Sequence, residues 1–117
     1  MGHADELGAG DGLGFNLNLP LSAGTTAHRW FTALDAACQR VASYRADALV
    51  VSLGLDTFAG DPISTFALQT LDFDRLGSKL ADLGLPTVLI LEGGYAAKEL
   101  GVNAVRVLHG FEASQTN

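Results

Sequence analysis

Asp56, Asp61 and Tyr95 are the residues of this 117-residue chain whose types and settings point to chemistry. Asp56 follows the apolar run Ala48-Leu49-Val50-Val51-Ser52-Leu53 after a releasing glycine, Gly54. A run this short and this rich in Val and Leu reads as a strand buried on both faces, as inside a parallel sheet. Open α/β sheets hold their ligands beyond the C-terminal ends of such strands. Tyr95 stands at the matching place after a second apolar strand, Thr87-Val88-Leu89-Ile90-Leu91, followed by Glu92 and the paired glycines Gly93 and Gly94. Taken singly, both residues are open to more than one reading. Asp56 could bind a metal, accept a phosphoryl group or hydrogen-bond its own loop, and the Tyr95 phenol could simply pack on the sheet edge. Taken as a pair, they are the electrophilic half of metal-assisted amide hydrolysis: a carboxylate holds a cation and a phenol donates to a developing oxyanion.

The remaining candidates carry less. His3 lies in a leading loop, His28 at a helix start and His109 near a helix end, none at metal-ligand spacing. His109 reads as a favourable cation at a helix C-terminus. Cys38 is the only cysteine, which excludes an internal disulfide and a thiolate cluster. On the apolar side of a helix it reads as a small core residue. Gly8, Gly10, Gly12 and Gly14 alternate, but not as G-x-G-x-x-G, and they precede a strand where a phosphate loop would follow one.

The elements that must position Asp56 and Tyr95 follow from periodicity. Residues 1–14 read as a Gly-rich leading loop. Phe15 to Leu19 alternates apolar residues with Asn and reads as a strand. Thr26 is a suitable N-cap for a helix to about Tyr44, with Ala27, Trp30, Phe31, Leu34, Ala37, Cys38, Val41 and Ala42 on one face. Thr70 can cap a second helix with Asp72 and Asp74 in its first turn and Leu71, Phe73, Leu76, Leu80 and Leu83 inward; Gly84 and Pro86 stop it. A last helix over about residues 96–111 turns Leu100, Ala104, Val107, Leu108 and Phe111 inward, before a polar tail at 113–117. The order β-α-β-α-β-α gives one α/β domain over residues 1–117, a parallel sheet with helices on both faces. Both strong strands then end on the same edge, which sets the Asp56 loop beside the Tyr95 turn.

Composition narrows the partners. The net charge of −6 and the scattered Arg and Lys leave no nucleic-acid footprint. No apolar run approaches the roughly 20 residues of a membrane span, and no basic start with an apolar core marks a signal peptide. The expected setting is the cytoplasm, with neither nucleic acid nor membrane as a direct partner.

The motifs also match a family. Ser52-Leu53-Gly54-Leu55-Asp56-Thr57-Phe58-Ala59-Gly60-Asp61-Pro62-Ile63-Ser64 resembles the third-ligand loop of zinc-dependent histone deacetylases and acetylpolyamine amidohydrolases. Leu91-Glu92-Gly93-Gly94-Tyr95 is similar to their catalytic tyrosine turn, and residues 12–21 with Gly24-Thr25 resemble the segment ahead of both. The wording around Asp61 and Glu92 is nearest the acetylpolyamine branch.

The resemblance implies the C-terminal part of an arginase/deacetylase-like fold. It makes Asp56 a zinc ligand, Tyr95 the oxyanion donor, and Gly93 and Gly94 the lining of the acyl-amine tunnel. It assigns Asp61 to ordering its loop rather than to the zinc. It also implies an acetylated amine, a polyamine or acetyl-lysine, as substrate. The family's Asp-x-His ligands and its His-His acid/base pair belong upstream of the matched region, and this sequence contains neither. The expectation is therefore a C-terminal fragment of a zinc amidohydrolase, inactive alone, that self-associates or joins a missing upstream segment. The alternatives are a non-catalytic α/β interaction module and a small domain holding an anion or nucleotide beside Gly93-Gly94 at the N-terminus of the last helix.

Overall fold

The computed structural model describes residues 2–116; Met1 of the leading loop and Asn117 of the polar tail lie outside them. After a single 3-10 turn at Gly10–Gly12, the elements are α1 (Ala27–Tyr44), β1 (Leu49–Leu53), α2 (Asp72–Ala81), β2 (Thr87–Leu91) and α3 (Leu100–Gln115). β1 and β2 pair in parallel, in register from Leu49 opposite Thr87 to Leu53 opposite Leu91. The α/β class and the parallel sheet are those the alternation of strand and helix requires.

Helix α1 begins where its cap residue puts it. The Thr26 hydroxyl accepts the Arg29 amide at 3.3 Å, satisfying one of the donors that a helix start leaves free. Its buried residue, Phe31, enters a core with Leu53, Leu55, Leu68, Phe73, Leu76, Leu80 and Val107. Leu49, Val51 and Leu89 pack against that cluster from the sheet. Because strand side chains alternate, Val50, Val88 and Ile90 point the other way, and Val50 and Val88 are 66% and 57% exposed. The strands, read as buried on both faces, are thus covered on one face by these residues.

Several local readings are corrected by the structure. Phe15 to Leu19 is not a strand. Its asparagines turn back on the leading loop instead: the Asn16 amide donates to the Glu6 carbonyl, and Asn18 donates to the His3 carbonyl at 2.9 Å. The alternation marks a polar clasp rather than a pleat. Helix α2 is not capped by Thr70, because the Asp72 carboxylate reaches back to accept the Gln69 amide at 2.8 Å. Leu71 is left outside the helix and exposed. Helix α3 starts at Leu100 rather than Ala96, after a turn in which the Glu99 amide bonds the Ala96 carbonyl at 3.0 Å. It runs on into the stretch read as a tail, and Leu108 faces out while Asn103, Val107 and Gly110 face in. His109 accordingly lies inside α3, not at its end. Its Nδ1 is 2.8 Å from an Asp74 carboxylate oxygen that belongs to α2.

Helices α2 and α3 meet through glycines. A methyl group on Gly77 would overlap the Val107 carbonyl oxygen, and one on Gly110 would overlap the Asp74 carbonyl oxygen. The Ser78 hydroxyl donates to the Gly110 carbonyl at 3.1 Å, and Arg106 donates to the Asp74 carboxylate at 3.1 Å. Across the other side of α2, Lys79 pairs with Asp35 of α1, and the Arg75 guanidinium lies 4.1 Å from the centre of the Phe31 ring. Cys38 is half-buried between α1 and α2, and burial, with help from Asp35 and Asp82 against Lys79, pushes its thiol pKa up. That suits the inert packing role read from its position. Among the described residues no helix is long and apolar enough to cross a membrane.

Candidate active site

The two strands leave the sheet side by side because their pairing continues past their ends. The Glu92 amide donates to the Leu53 carbonyl at 3.0 Å, and the Leu55 amide donates to the Gly93 carbonyl at 2.8 Å. Leu55 is fully buried and fixes the first turn to the core. Asp56, the next residue, is half-buried at the mouth of the turn.

Glycines surround its carboxylate. A methyl group on Gly93 would stand 2.5 Å from Asp56 Oδ2 and 2.9 Å from Cγ, and one on Gly54 would stand 2.7 Å from Oδ1. Any side chain at either position would have to displace the carboxylate. Gly94 is constrained twice: its φ of 142° suits glycine, and a methyl there would meet Leu55 and Leu100. Both glycines of the Tyr95 turn therefore have a packing duty toward the Asp56 loop. For Gly93 that duty is to the candidate ligand itself.

The acid loop is closed by Asp61 and by a residue that the sequence did not single out. Leu68, completely buried, pairs as an isolated parallel bridge with Phe58, and the Ala59 amide donates to its carbonyl at 2.8 Å. The short stretch Phe66-Ala67-Leu68 carries neither a helical nor an alternating period, so no pattern flagged Leu68. Asp61, only 6% exposed, sits inside the loop. Its Oδ1 accepts the Ile63 amide at 3.0 Å and its Oδ2 accepts the Tyr95 amide at 2.6 Å. Burial pushes the Asp61 pKa up, but the backbone amides of Ile63, Tyr95, Ala96 and Ser64 outweigh it and hold the carboxyl below its ordinary value. The folded protein thus favours the ionised form, and the unfolded chain binds the extra proton. The stabilisation is complete above the unfolded value near ~4 and is lost as pH falls through the lowered folded value. Asp61 orders its loop, as read, and also reaches across to the Tyr95 turn.

Tyr95 itself is held by its main chain, and the residue is 56% exposed. A carboxylate and a phenol thus rise from adjacent turns at one sheet edge. His3, His28 and His109 are all exposed, and His109 is engaged with Asp74. Among the described residues no three His, Cys, Asp or Glu side chains are grouped to hold a metal. These residues do not form a zinc centre by themselves, since such a centre takes three protein ligands. The Asp56 carboxylate is half-buried and walled by Gly54 and Gly93. An anion at the N-terminus of α3 beside Gly93-Gly94 is a poorer fit, because α3 begins at Leu100 and its cap residue is the acid Glu99.

Comparison with known proteins gives a consistent picture. The sequence model of the histone deacetylase domain matches residues 1–111. The chain is 53% identical over 112 residues to acetylpolyamine amidohydrolase 2 of Pseudomonas aeruginosa, covering 96% of this chain and 33% of that protein. It is 43% identical over 110 residues to the acetylpolyamine amidohydrolase of Mycoplana ramosa, covering 94% and 32% of the two chains. The crystal structure of the acetylpolyamine aminohydrolase from Burkholderia pseudomallei superposes with a TM-score of 0.95 at 43% identity, over 97% of this chain and 33% of that one. The chain spans about a third of the length of the curated relatives it matches.

Proposed function

We propose, from the premise that this chain belongs to the histone deacetylase domain family, that it forms the C-terminal third of a zinc-dependent amidohydrolase that deacetylates an amine. The observation that carries this reading is the union of the Asp56 and Tyr95 turns, through the Leu55–Gly93 and Asp61–Tyr95 hydrogen bonds of 2.8 and 2.6 Å. Zinc, when bound, supplies a Lewis acid and a water activated near neutral pH. This chain would contribute the Asp56 carboxylate as one anionic ligand. It would also place the Tyr95 phenol to donate to the oxygen on which negative charge develops. The remaining ligands and the acid/base histidines come from a segment outside this sequence. An acetylated polyamine is the favoured substrate, since identity to the acetylpolyamine amidohydrolase of Pseudomonas aeruginosa is 53% and to histone deacetylase 15 of Arabidopsis thaliana 31%. The cytoplasm remains the proposed location.

By itself the 117-residue chain will show no measurable zinc-dependent turnover of an acetylated polyamine or an acetyl-lysine peptide. Loss of proton-transfer residues alone removes roughly 10² to 10⁴ in rate, and the missing ligands add to that. Addition of a polypeptide carrying in-frame Asp-x-His and His-His motifs should restore both zinc binding and deacetylation. Turnover by the isolated chain would overturn the claim of incompleteness; a zinc-loaded complex that leaves acetylated amines intact would overturn the deacetylase reading.

The same reading proposes self-association. Val50, Val88 and Ile90 present an apolar sheet face to solvent, and in a two-stranded sheet both strands are edges. Open edges with apolar faces recruit other chains. Light scattering of the isolated chain should report a mass that rises with concentration, and the upstream segment should suppress the rise. A monomer at every concentration would contradict this.

A further inference from the structure

Tyr95 poses a positional problem. The residue is more than half exposed and its turn is built on Gly93 and Gly94, the residue type with the freest backbone. A phenol that must meet an oxyanion at about 2.7–3.1 Å needs a fixed main chain beneath it. The Leu55–Gly93 hydrogen bond ties the turn two residues earlier, and a further strong restraint acts on Tyr95 itself. The Tyr95 amide is bound by the Asp61 carboxylate across 34 residues of sequence at 2.6 Å, in a setting where Asp61 is almost wholly buried. The other carboxylate oxygen is bound within its own loop by the Ile63 amide at 3.0 Å, and the Asp61 amide is tied to the Phe58 carbonyl at 3.0 Å. Leu68 anchors that loop to the core. Asp61 is thus joined rigidly on one side and to the Tyr95 turn on the other.

We infer that Asp61 is a positioning residue for the oxyanion-donating phenol: its buried carboxylate clamps the Tyr95 main chain to the loop that carries Asp56. The inference rests on the proposed deacetylase reading for its catalytic consequence, though not for the clamp. A carboxylate suits the task because it is acceptor-only and can take several amide donors at once. Asparagine has nearly the same shape, yet its amide nitrogen would confront a backbone N–H with another donor. The clamp couples the two halves of the site, so the phenol and the candidate ligand keep one spacing.

Amide hydrogen exchange tests the clamp directly. In the unaltered chain the Tyr95 amide should exchange at least about tenfold more slowly than in an unstructured peptide, as a charge-assisted hydrogen bond requires. In Asp61→Asn the Tyr95 amide should speed up by about ten- to a hundredfold, with Val51 and Leu89 in the strands unchanged. Asp56→Asn should leave Tyr95 protected. An unprotected Tyr95 amide in the unaltered chain would overturn the inference even if Asp61→Asn failed to fold. So would an Asp61→Asn protein in which Tyr95 is unaffected, or in which strand amides accelerate equally. In a complex that deacetylates, Asp61→Asn should lower kcat by about tenfold or more with KM unchanged, the effect of a misplaced reacting group. A kcat left intact would overturn the positioning role. A complex without any turnover would instead count against the deacetylase reading, while the exchange of Tyr95 still decides the clamp.

Discussion

Gly110→Ala forces α2 and α3 apart at their closest approach and should lower the melting temperature of the chain by more than about 10 °C. The added methyl would overlap the Asp74 carbonyl oxygen and lie 2.6 Å from its carbon, and both are backbone atoms that cannot rotate away. Overpacking of a well-filled site typically costs about 1–3 kcal/mol, and a clash with backbone belongs at the top of that range. Set against a whole-domain stability of roughly 5–15 kcal/mol, such a loss lowers Tm by more than about 10 °C for a chain of this size. The displaced helices also lose the Ser78–Gly110 hydrogen bond and the contacts of Asp74 with Arg106 and His109. Gly101→Ala is the control, because nothing lies near its added methyl and the residue sits on the exposed side of α3. There the gain in helix propensity, up to about 1 kcal/mol, should raise Tm slightly. Thermal unfolding followed by circular dichroism distinguishes the two. Equal melting of Gly110→Ala and the unaltered chain would refute the close approach of the two helices.

In a complex that completes the site, Tyr95→Phe should cut kcat by about 10² to 10³ while KM barely moves, because one oxyanion donor is removed and nothing else. Asp56→Asn should act differently: it takes away an anionic ligand, so zinc content falls before any kinetic effect is interpreted. Gly93→Ala joins the second class rather than the first. Its methyl would press on the Asp56 carboxylate from 2.5 Å, so the expected loss is of metal, with Tyr95 still in place. Metal analysis alongside steady-state kinetics separates the cases. Full zinc content in both Asp56→Asn and Gly93→Ala would end the ligand assignment, and a kcat unaffected by Tyr95→Phe would end the donor assignment.

Much of this was determined by sequence alone. Short apolar runs fixed β1 and β2 because a strand's period and length are local properties, and Thr26 set the start of α1 because capping acts over three residues. The Asp56 and Tyr95 turns could be paired in advance, since parallel strands with helical crossovers end on one edge. Only the tertiary structure decided what lay between distant segments. Asn16 and Asn18 alternate with apolar residues as a strand would, and nothing local says that their amides belong to the leading loop. Leu68 belongs to no periodic pattern until the core closes over it. Gly77 and Gly110 belong to separate segments of the chain, and become the contact between two helices only once α2 and α3 are side by side. The link from Asp61 to the Tyr95 amide spans 34 positions. Such a bond depends on the relative placement of two turns, which no window of sequence contains. Periodicity and capping are written within a few residues; close approach and cross-chain hydrogen bonding exist only after folding has brought their partners together.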